Sequence, residues 1–375
     1  MTLRREVQSS RKPHAVPAWW SPLLLEAASP SIFLSQAWLQ TWLDVFGEGF
    51  DVRWVAWHDG ERVVAGCMML SNVELRKRVL PLRSAYFNAT GRTFPTAGFN
   101  EVACVPGYES QVADDLGEFL AHESWDQLLL HAYAEGGILD RALQKAPTAL
   151  VERDGRPAPF VDLIAVAEKG YEASLSSNSR NQIRRSRRLY AERSGTLTVT
   201  RAETLEGALA FLDKLATLHN ARWEGRGAVG SFGQPGVMEF HTRLVKRLWD
   251  LGTVDLLRIA AGDEEIGYLY NFRGGDTIWF FQSGFSYEKD ARYKPGLTTH
   301  ACAIEHYMAL GLHEYDFLPG DARYKRSLAK QERMRYWTTV YRDRAWIRAL
   351  LMARRAVQRR NQSPASPAAP AAEVE

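Results

Sequence analysis

The residues best suited to chemistry crowd into Tyr315-Asp316-Phe317-Leu318-Pro319-Gly320-Asp321-Ala322-Arg323-Tyr324-Lys325. Two acids, two bases and two phenols around a Pro-Gly break are denser than a polar turn requires. Tyr324 can give a proton to a leaving group and Asp316 can take one, if both line one site. A second polar group, His219-Asn220-Ala221-Arg222-Trp223-Glu224, ends a helical stripe and runs into a Gly-rich stretch. Chemistry gathers on such loops. His219 or Glu224 could accept a proton there, but a lone His on a helix stripe more often belongs to the core.

Two segments suit a phosphate. Six Arg stand between Arg180 and Arg193, with Glu192 the only acid among them. Arg184 and Arg185 lie at the centre of this run. Guanidinium groups favour bidentate phosphate contacts, and the competing reading is a solvated helix face. Tyr293-Lys294-Pro295-Gly296 precedes a predicted helix, where backbone N–H groups face an anion. Arg292, Lys294 and Gly296 would hold it.

Other chemistries lose support. No Walker loop, GxGxxG, HExxH or GxSxG occurs. Cys67, Cys104 and Cys302 are far apart and form no CxxC, so neither a disulfide framework nor a metal site is expected. No apolar run reaches the roughly 18–20 residues of a membrane helix. The basic N-terminus lacks the apolar core of a secretory signal. A cytoplasmic protein without membrane insertion is the expectation. The net charge of +3 is too even for a nucleic-acid-binding stripe, although local extremes hide within it.

Something must position these residues, and 375 of them exceed one domain. Helical stripes run through Leu205, Leu209, Leu212 and Ala216, and through Val237, Phe240, Leu244 and Leu248. An antiparallel meander follows: Val254–Ala261, a turn at Asp263-Glu264, Ile266–Phe272, then Thr277–Phe285. Gly296 opens a helix to Leu310. Strands are predicted at 312–318 and 336–342. Ser176 or Ser177 is placed to cap the Arg-rich helix. The first half echoes the order, with a Trp38/Trp42/Phe46 helix, a hairpin over 51–70, a helix over 109–122 and a strand over 126–131. Both halves carry an Asp/Gly/Glu turn and a Gly early in the return strand, Gly66 and Gly267. This predicts an α/β (α+β) chain of two mixed, mostly antiparallel sheets flanked by helices. The domains fall at 1–156 and 157–345, with a turn-rich boundary at 154–159. Residues 346–375 form a basic helix end and a Pro/Ala-rich disordered tail. Why the chain has 12 Trp is not evident from its sequence.

Four segments resemble a known family: LSSNSRNQIRRSRR, LHNARW, YKPGLTTHACAIEHYMALGLHEYDF and DFLPGDARYKRSLA. They are similar to GNAT-superfamily acetyltransferases of the CelD-like type, tied to cellulose or exopolysaccharide biosynthesis and related to Fem-type peptidyltransferases. They lie within residues 160–340, and FLSQAWLQTWLDVFG resembles the family's opening helix. The resemblance implies tandem GNAT-like units, the first degenerate. It implies acyl transfer from acetyl-CoA or another acyl-CoA to an amine, such as an amino sugar or small amine. Splayed central strands would hold the thioester, with Thr277–Phe285 the splayed strand. Arg184, Arg185, Arg292, Lys294, Gly296 and Lys325 would bind the donor. Tyr324 would be the acid, and Asp316 or Glu224 the base. His219, Arg222, Trp223, Gln282 and Ser283 would line the acceptor cleft. The usual pyrophosphate loop reads Q/R-x-x-G-x-G/A, a spacing that ARYKPGLTT lacks. An aminoacyl-tRNA donor of the Fem type therefore stands as an alternative, and a non-catalytic GNAT-like scaffold as a second.

Overall fold

The computed structural model describes residues 3–28, 31–76, 80–146 and 150–361. Among these are thirteen strands. They are β1 (Arg4–Ser9), β2 (Asp51–Asp59), β3 (Arg62–Arg76), β4 (Leu80–Phe87), β5 (Ala103–Cys104), β6 (Gln127–Tyr133) and β7 (Leu150–Asp162). The rest are β8 (Leu197–Arg201), β9 (Val254–Ala261), β10 (Glu264–Gly274), β11 (Thr277–Phe285), β12 (Glu314–Asp316) and β13 (Gln331–Tyr341). The first six helices are α1 (Trp20–Glu26), α2 (Gln36–Phe46), α3 (Glu109–His122), α4 (Ile138–Leu143), α5 (Leu163–Ala167) and α6 (Tyr171–Ser174). The next six are α7 (Ser177–Ser194), α8 (Leu205–Glu224), α9 (Val237–Trp249), α10 (Pro295–Ala309), α11 (Arg323–Leu328) and α12 (Ala345–Asn361). The predicted Pro/Ala-rich tail lies outside the described residues beyond 361.

The chain divides into two compact units. The first takes the described residues up to Arg92, Phe99–Arg156 and those from Met334 on. The second takes Thr93–Gly98 and Pro157–Arg333.

In the first unit, β1, β2, β3 and β4 pair antiparallel in that order. β4 then pairs parallel with β6, from Ser84 opposite Gln127 to Tyr86 opposite Leu129. β13 closes on β6 antiparallel. α3 covers this sheet with Val112, Leu116, Phe119 and Leu120, one helical face, against Leu128, Leu130 and Val340. Trp20, Trp38, Trp42, Trp54, Trp57 and Trp125 are all fully buried, and all lie in this unit. Half of the 12 Trp thus lie in the core of the first unit.

In the second unit the sheet order is β7-β12-β11-β10-β9-β8. Its pairs are antiparallel except β11 with β12. Alternation along β10 separates the faces. Tyr270 packs on His241 of α9, whereas Asn271 bonds to Tyr307 of α10. So α9 lies on one face with α8, which packs beside it, and α10 lies on the other. Ser176 caps α7 by accepting the Ser179 N–H at 3.2 Å, and Thr204 caps α8 through Gly207 N at 3.1 Å.

Several expectations differ in detail. Residues 154–159 form no turn and lie inside β7. Arg153 stacks 3.8 Å over Tyr336 and Arg156 4.3 Å over Trp337, which holds the backbone extended. The prolines act there only as acceptors: Pro157 O from Gly320 N and Pro159 O from Phe317 N, both at 2.9 Å. The strand predicted over 312–318 shortens to β12, because Leu318 takes a φ of +58°. The last strand starts five residues early, at Gln331. Gly262, at φ +53°, makes the first meander turn with Asp263, and Glu264 already belongs to β10.

Candidate active site

The site begins where β11 and β12 part. They pair over three residues only, Thr277–Trp279 with Glu314–Asp316. β11 continues to Phe285, and among the described residues no strand takes over that edge. A bulge at Phe281 shifts the register against β10 and bends the strand just past the fork. Residues 280–285 stay paired with β10 on one edge, and the backbone groups of the opposite edge are left for something other than a strand.

Tyr324, on α11, reaches this fork. Its ring stacks on His300 of α10 with centroids 5.4 Å apart. Phe280 of β11 meets the same imidazole at 4.5 Å, edge to face. His300 Nδ1 lies 3.1 Å from Tyr315 Oη, and its Nε2 is buried without a hydrogen-bond partner. Burial pulls the imidazole down to about 3, helped by the Lys325 charge. His300 is therefore neutral at any physiological pH.

Asp316 and Lys325 lie beneath the same turn, 4% and 3% exposed. Asp316 Oδ1 accepts the Leu318 N–H at 2.6 Å. Lys325 Nζ donates to Leu318 O and Pro319 O, both at 3.2 Å. Burial lowers the Lys325 ammonium to about 8, and the Asp316 charge pulls it back up. Arg333 stands 3.8 Å from Asp316. Expected among the donor's phosphate ligands, Lys325 points instead into the protein, where it braces the positive-φ turn. Gly320 leaves room for it, since a Cβ there would stand 2.9 Å from Nζ.

The other face of β11 carries the second cluster. His219 Nδ1 lies 3.2 Å from Ser283 O, and its Nε2 lies 3.1 Å from Ser231 Oγ. A backbone carbonyl can only accept, so Nδ1 carries the proton and Nε2 accepts from Ser231. Burial pulls this imidazole down to about 4. Gln282 reaches Ser231 Oγ at 3.4 Å and accepts the Ser283 N–H at 3.0 Å. His219, Gln282 and Ser283 thus form one buried network. Arg222 lies 3.9 Å over the Tyr287 ring, and Trp223 lies 6.3 Å from His219. Glu224, at the end of α8, is exposed.

The Arg-rich helix α7 buries Ser179, Ile183, Ser186 and Tyr190 and turns its arginines outward. Much of its charge is matched. Arg184 pairs with Glu172 at 2.7 Å, and Arg187 pairs with Glu172 at 2.9 Å and Glu305 at 2.8 Å. Arg193 pairs with Glu264 and with Glu288. Arg185 is exposed and makes no ion pair among the described residues. Arg292 is bidentate to Asp290 at 2.7–3.1 Å, which holds that carboxyl below its usual range. The Lys294 N–H, just before α10, donates to Ser186 Oγ at 2.9 Å. Ser186 in turn lies 2.8 Å from Thr298 Oγ1. Gly296 packs against the Phe285 ring, which a Cβ there would approach to 3.2 Å.

The structure therefore gathers Asp316, Tyr324 and Lys325 on one side of the fork and His219, Gln282 and Ser283 on the other. Arg184, Arg185, Arg292, Lys294 and Gly296 form a third group around α7 and the start of α10. Sequence reasoning did not single out His300, Ser231 or Ser186. His300 had a signal, since it falls four residues after Gly296 on one face of the predicted helix. The two serines had none, because their role comes from packing between distant segments.

Residues 177–326, all in the second unit, match the family described as acetyltransferase (GNAT) domain. No curated protein matches the sequence. Solved structures do match in fold. FemX is similar over 89% of this chain and 96% of its own, at 11% identity and a TM-score of 0.56. L-PGS from Bacillus licheniformis is similar over 95% and 100%, at 9% identity and a TM-score of 0.51. The C-terminal domain (DUF2156) of a putative lysylphosphatidylglycerol synthetase from Agrobacterium fabrum is similar over 90% and 94%, at 12% identity and a TM-score of 0.50. At these identities the likeness is one of fold. The chain has a mixed, mostly antiparallel α/β fold similar to that of these proteins, and the region that matches the GNAT domain lies in its second unit. Among the described residues no helix is long and apolar enough to cross a membrane, and no group of His, Cys, Asp or Glu is placed to hold a metal.

Proposed function

We propose that this protein is an N-acyltransferase that moves an acyl group from an acyl-CoA thioester to an amine, at the fork of β11 and β12. The observation that carries this reading is the fork itself, with the Tyr324 phenol stacked beside it on His300. The freed β11 edge offers backbone N–H donors to the oxyanion that forms when the amine attacks the thioester carbonyl. As the tetrahedral intermediate collapses, the C–S bond breaks and the new C–N bond remains. Tyr324 gives its proton to the leaving thiolate. The amine loses a proton on the α8 side. Asp316 is committed to Lys325 and the Leu318 N–H, so Glu224, exposed beside Arg222 and Trp223, serves as acceptor together with water. His219, Gln282 and Ser283 shape that side of β11 through their shared network. Arg185, Arg292 and Lys294 attract the donor's phosphates, and Arg184 supports them from its pair with Glu172. The buried Lys325 instead fixes the turn that presents Tyr324. The acceptor class is an amine, with amino sugars of polysaccharide synthesis one group to include.

A second reading has one specific observation in its favour. The Lys294 N–H, which a CoA pyrophosphate would use, is already given to Ser186 Oγ. An aminoacyl-tRNA donor would need no pyrophosphate cradle and would use the exposed arginines of α7. One experiment separates the two readings: titrate acetyl-CoA, longer acyl-CoAs and charged tRNA against the protein with a panel of amines. Release of free CoA thiol with amide formation supports the first reading. Transfer from charged tRNA alone, lost at high salt, supports the second. No transfer from either donor removes both and leaves a non-catalytic scaffold.

A further inference from the structure

The first unit contains a cavity of about 410 Å3 that acyl transfer in the second unit does not use. Ala28, Phe99, Ile138, Glu101 and Arg141 line it. Glu101 is fixed from behind. Its Oε1 accepts the Leu139 N–H at 2.9 Å and the Val102 N–H at 3.0 Å. Its Oε2 presses against Gly137, where any Cβ would overlap it, so only glycine lets the carboxyl stand here. No cation pairs with Glu101 among the described residues. Two guanidinium groups also line the cavity, and the charge of Arg141, whose Nε is buried without a partner, acts on Glu101 from beyond ion-pair distance. Arg141 donates to Ser110 Oγ at 3.1 Å, and Arg335 stacks 4.9 Å over Phe99. Glu109 accepts from Gly107 N at 2.9 Å, and Glu135 lies 3.5 Å from Arg153. Cys104 and Cys67 are buried thiols whose ionisation burial opposes.

A half-buried carboxylate with no cation within ion-pair distance is costly, and a cavity opening on it offers a place for one. Burial pushes Glu101 up to about 7, against the pull of the Leu139, Val102 and Ile138 N–H groups and the Arg141 charge. We propose that this cavity binds a small primary amine of amino-acid size, its ammonium against Glu101 Oε2 and its apolar part against Phe99, Ile138 and Ala28. The ligand binds the ionised form of Glu101, so affinity falls as pH drops below about 7, approaching tenfold per pH unit.

The test is calorimetry on the full chain with isoamylamine, L-leucine, isoamyl alcohol and isocaproate, at pH 7.5 and 6. Isoamylamine should bind, and the alcohol and acid should bind at least tenfold more weakly. Isoamylamine should lose about fivefold or more of its affinity between the two pH values. Glu101→Gln keeps an oxygen for Leu139 and Val102 and should weaken isoamylamine at least tenfold with the thermal midpoint retained. If that variant misfolds, the parent alone still decides. Binding at pH 7 should release about half a proton, read from heats in two buffers of different ionisation enthalpy. Equal affinity for amine and alcohol, pH-independent binding without proton release, or no binding of any probe overturns the proposal.

Discussion

The Tyr324 ring lies nearly parallel to the His300 imidazole, 21° between planes and 5.4 Å between centroids. A residue of α10 thus sets the direction of a phenol on α11. That packing survives loss of the hydroxyl. Tyr324→Phe should lower kcat by about 10²-fold and leave donor affinity within about twofold. Steady-state kinetics beside a thermal melt separates this from unfolding. Unchanged kcat removes Tyr324 as the acid.

Lys325 and Asp316 form a buried pair in which either charge depends on the other. Lys325→Met removes one charge from beside Asp316 and leaves Arg333 at 3.8 Å. The expected loss is about 3–5 kcal/mol, and adding Asp316→Asn should recover part of it. The pH dependence has a definite sign. The folded ammonium titrates at about 8 and the unfolded one near 10.5. Between those values the unfolded chain holds the extra proton, so this group makes stability rise with pH. Urea unfolding from pH 7 to 10 should show that rise in the parent and lose it in Lys325→Met.

Four histidines should make the fold acid-sensitive. Burial lowers His131 and His219 to about 4, and His241 and His300 to about 3. The unfolded chain protonates all four near 6.5. Stability should therefore fall as pH drops from about 6.5 toward 4, each group adding up to about 1.4 kcal/mol per pH unit. His241 sits among Phe232, Phe240, Tyr270 and Phe281. His241→Phe should flatten the slope without opening a cavity. Thermal midpoints that stay level from pH 7.5 to 4.5 contradict this.

Arg185 is the cleaner test of donor binding on α7. Arg184→Glu would also face Glu172 and lose its ion pair. Arg185→Glu should raise the donor KM several-fold, and the effect should shrink at high salt. Equal donor KM in mutant and parent returns this face of α7 to plain solvation.

How much of this was legible depends on whether the signal was local. α3 was readable to its ends, because Glu109–His122 repeats apolar residues at helical spacing. The meander was readable from its glycine turns, and Ser176 from its place before the arginines. β7 was not, because Gly155 and two prolines outvote the remote Tyr336 and Trp337 that hold it straight. At the site, the crowding of Asp316, Tyr324 and Lys325 was visible, but the inward turn of Lys325 was not. A sequence shows that a charge is present; only the carbonyls of Leu318 and Pro319 show where it points. The arginine run likewise announced a basic patch, while Glu172, Glu305, Glu264 and Glu288 neutralise part of it from separate segments.

The Lys294 amide has a practical consequence. Its hydrogen sits on a serine hydroxyl of another helix, at the doorstep of α10. Ser186 is buried and bonded to Thr298 as well, so an anion that takes this proton must displace a side chain held at both ends. That makes this single amide a natural beacon. Its nitrogen-15 shift and its hydrogen-exchange rate should register arrival of the donor before any product forms.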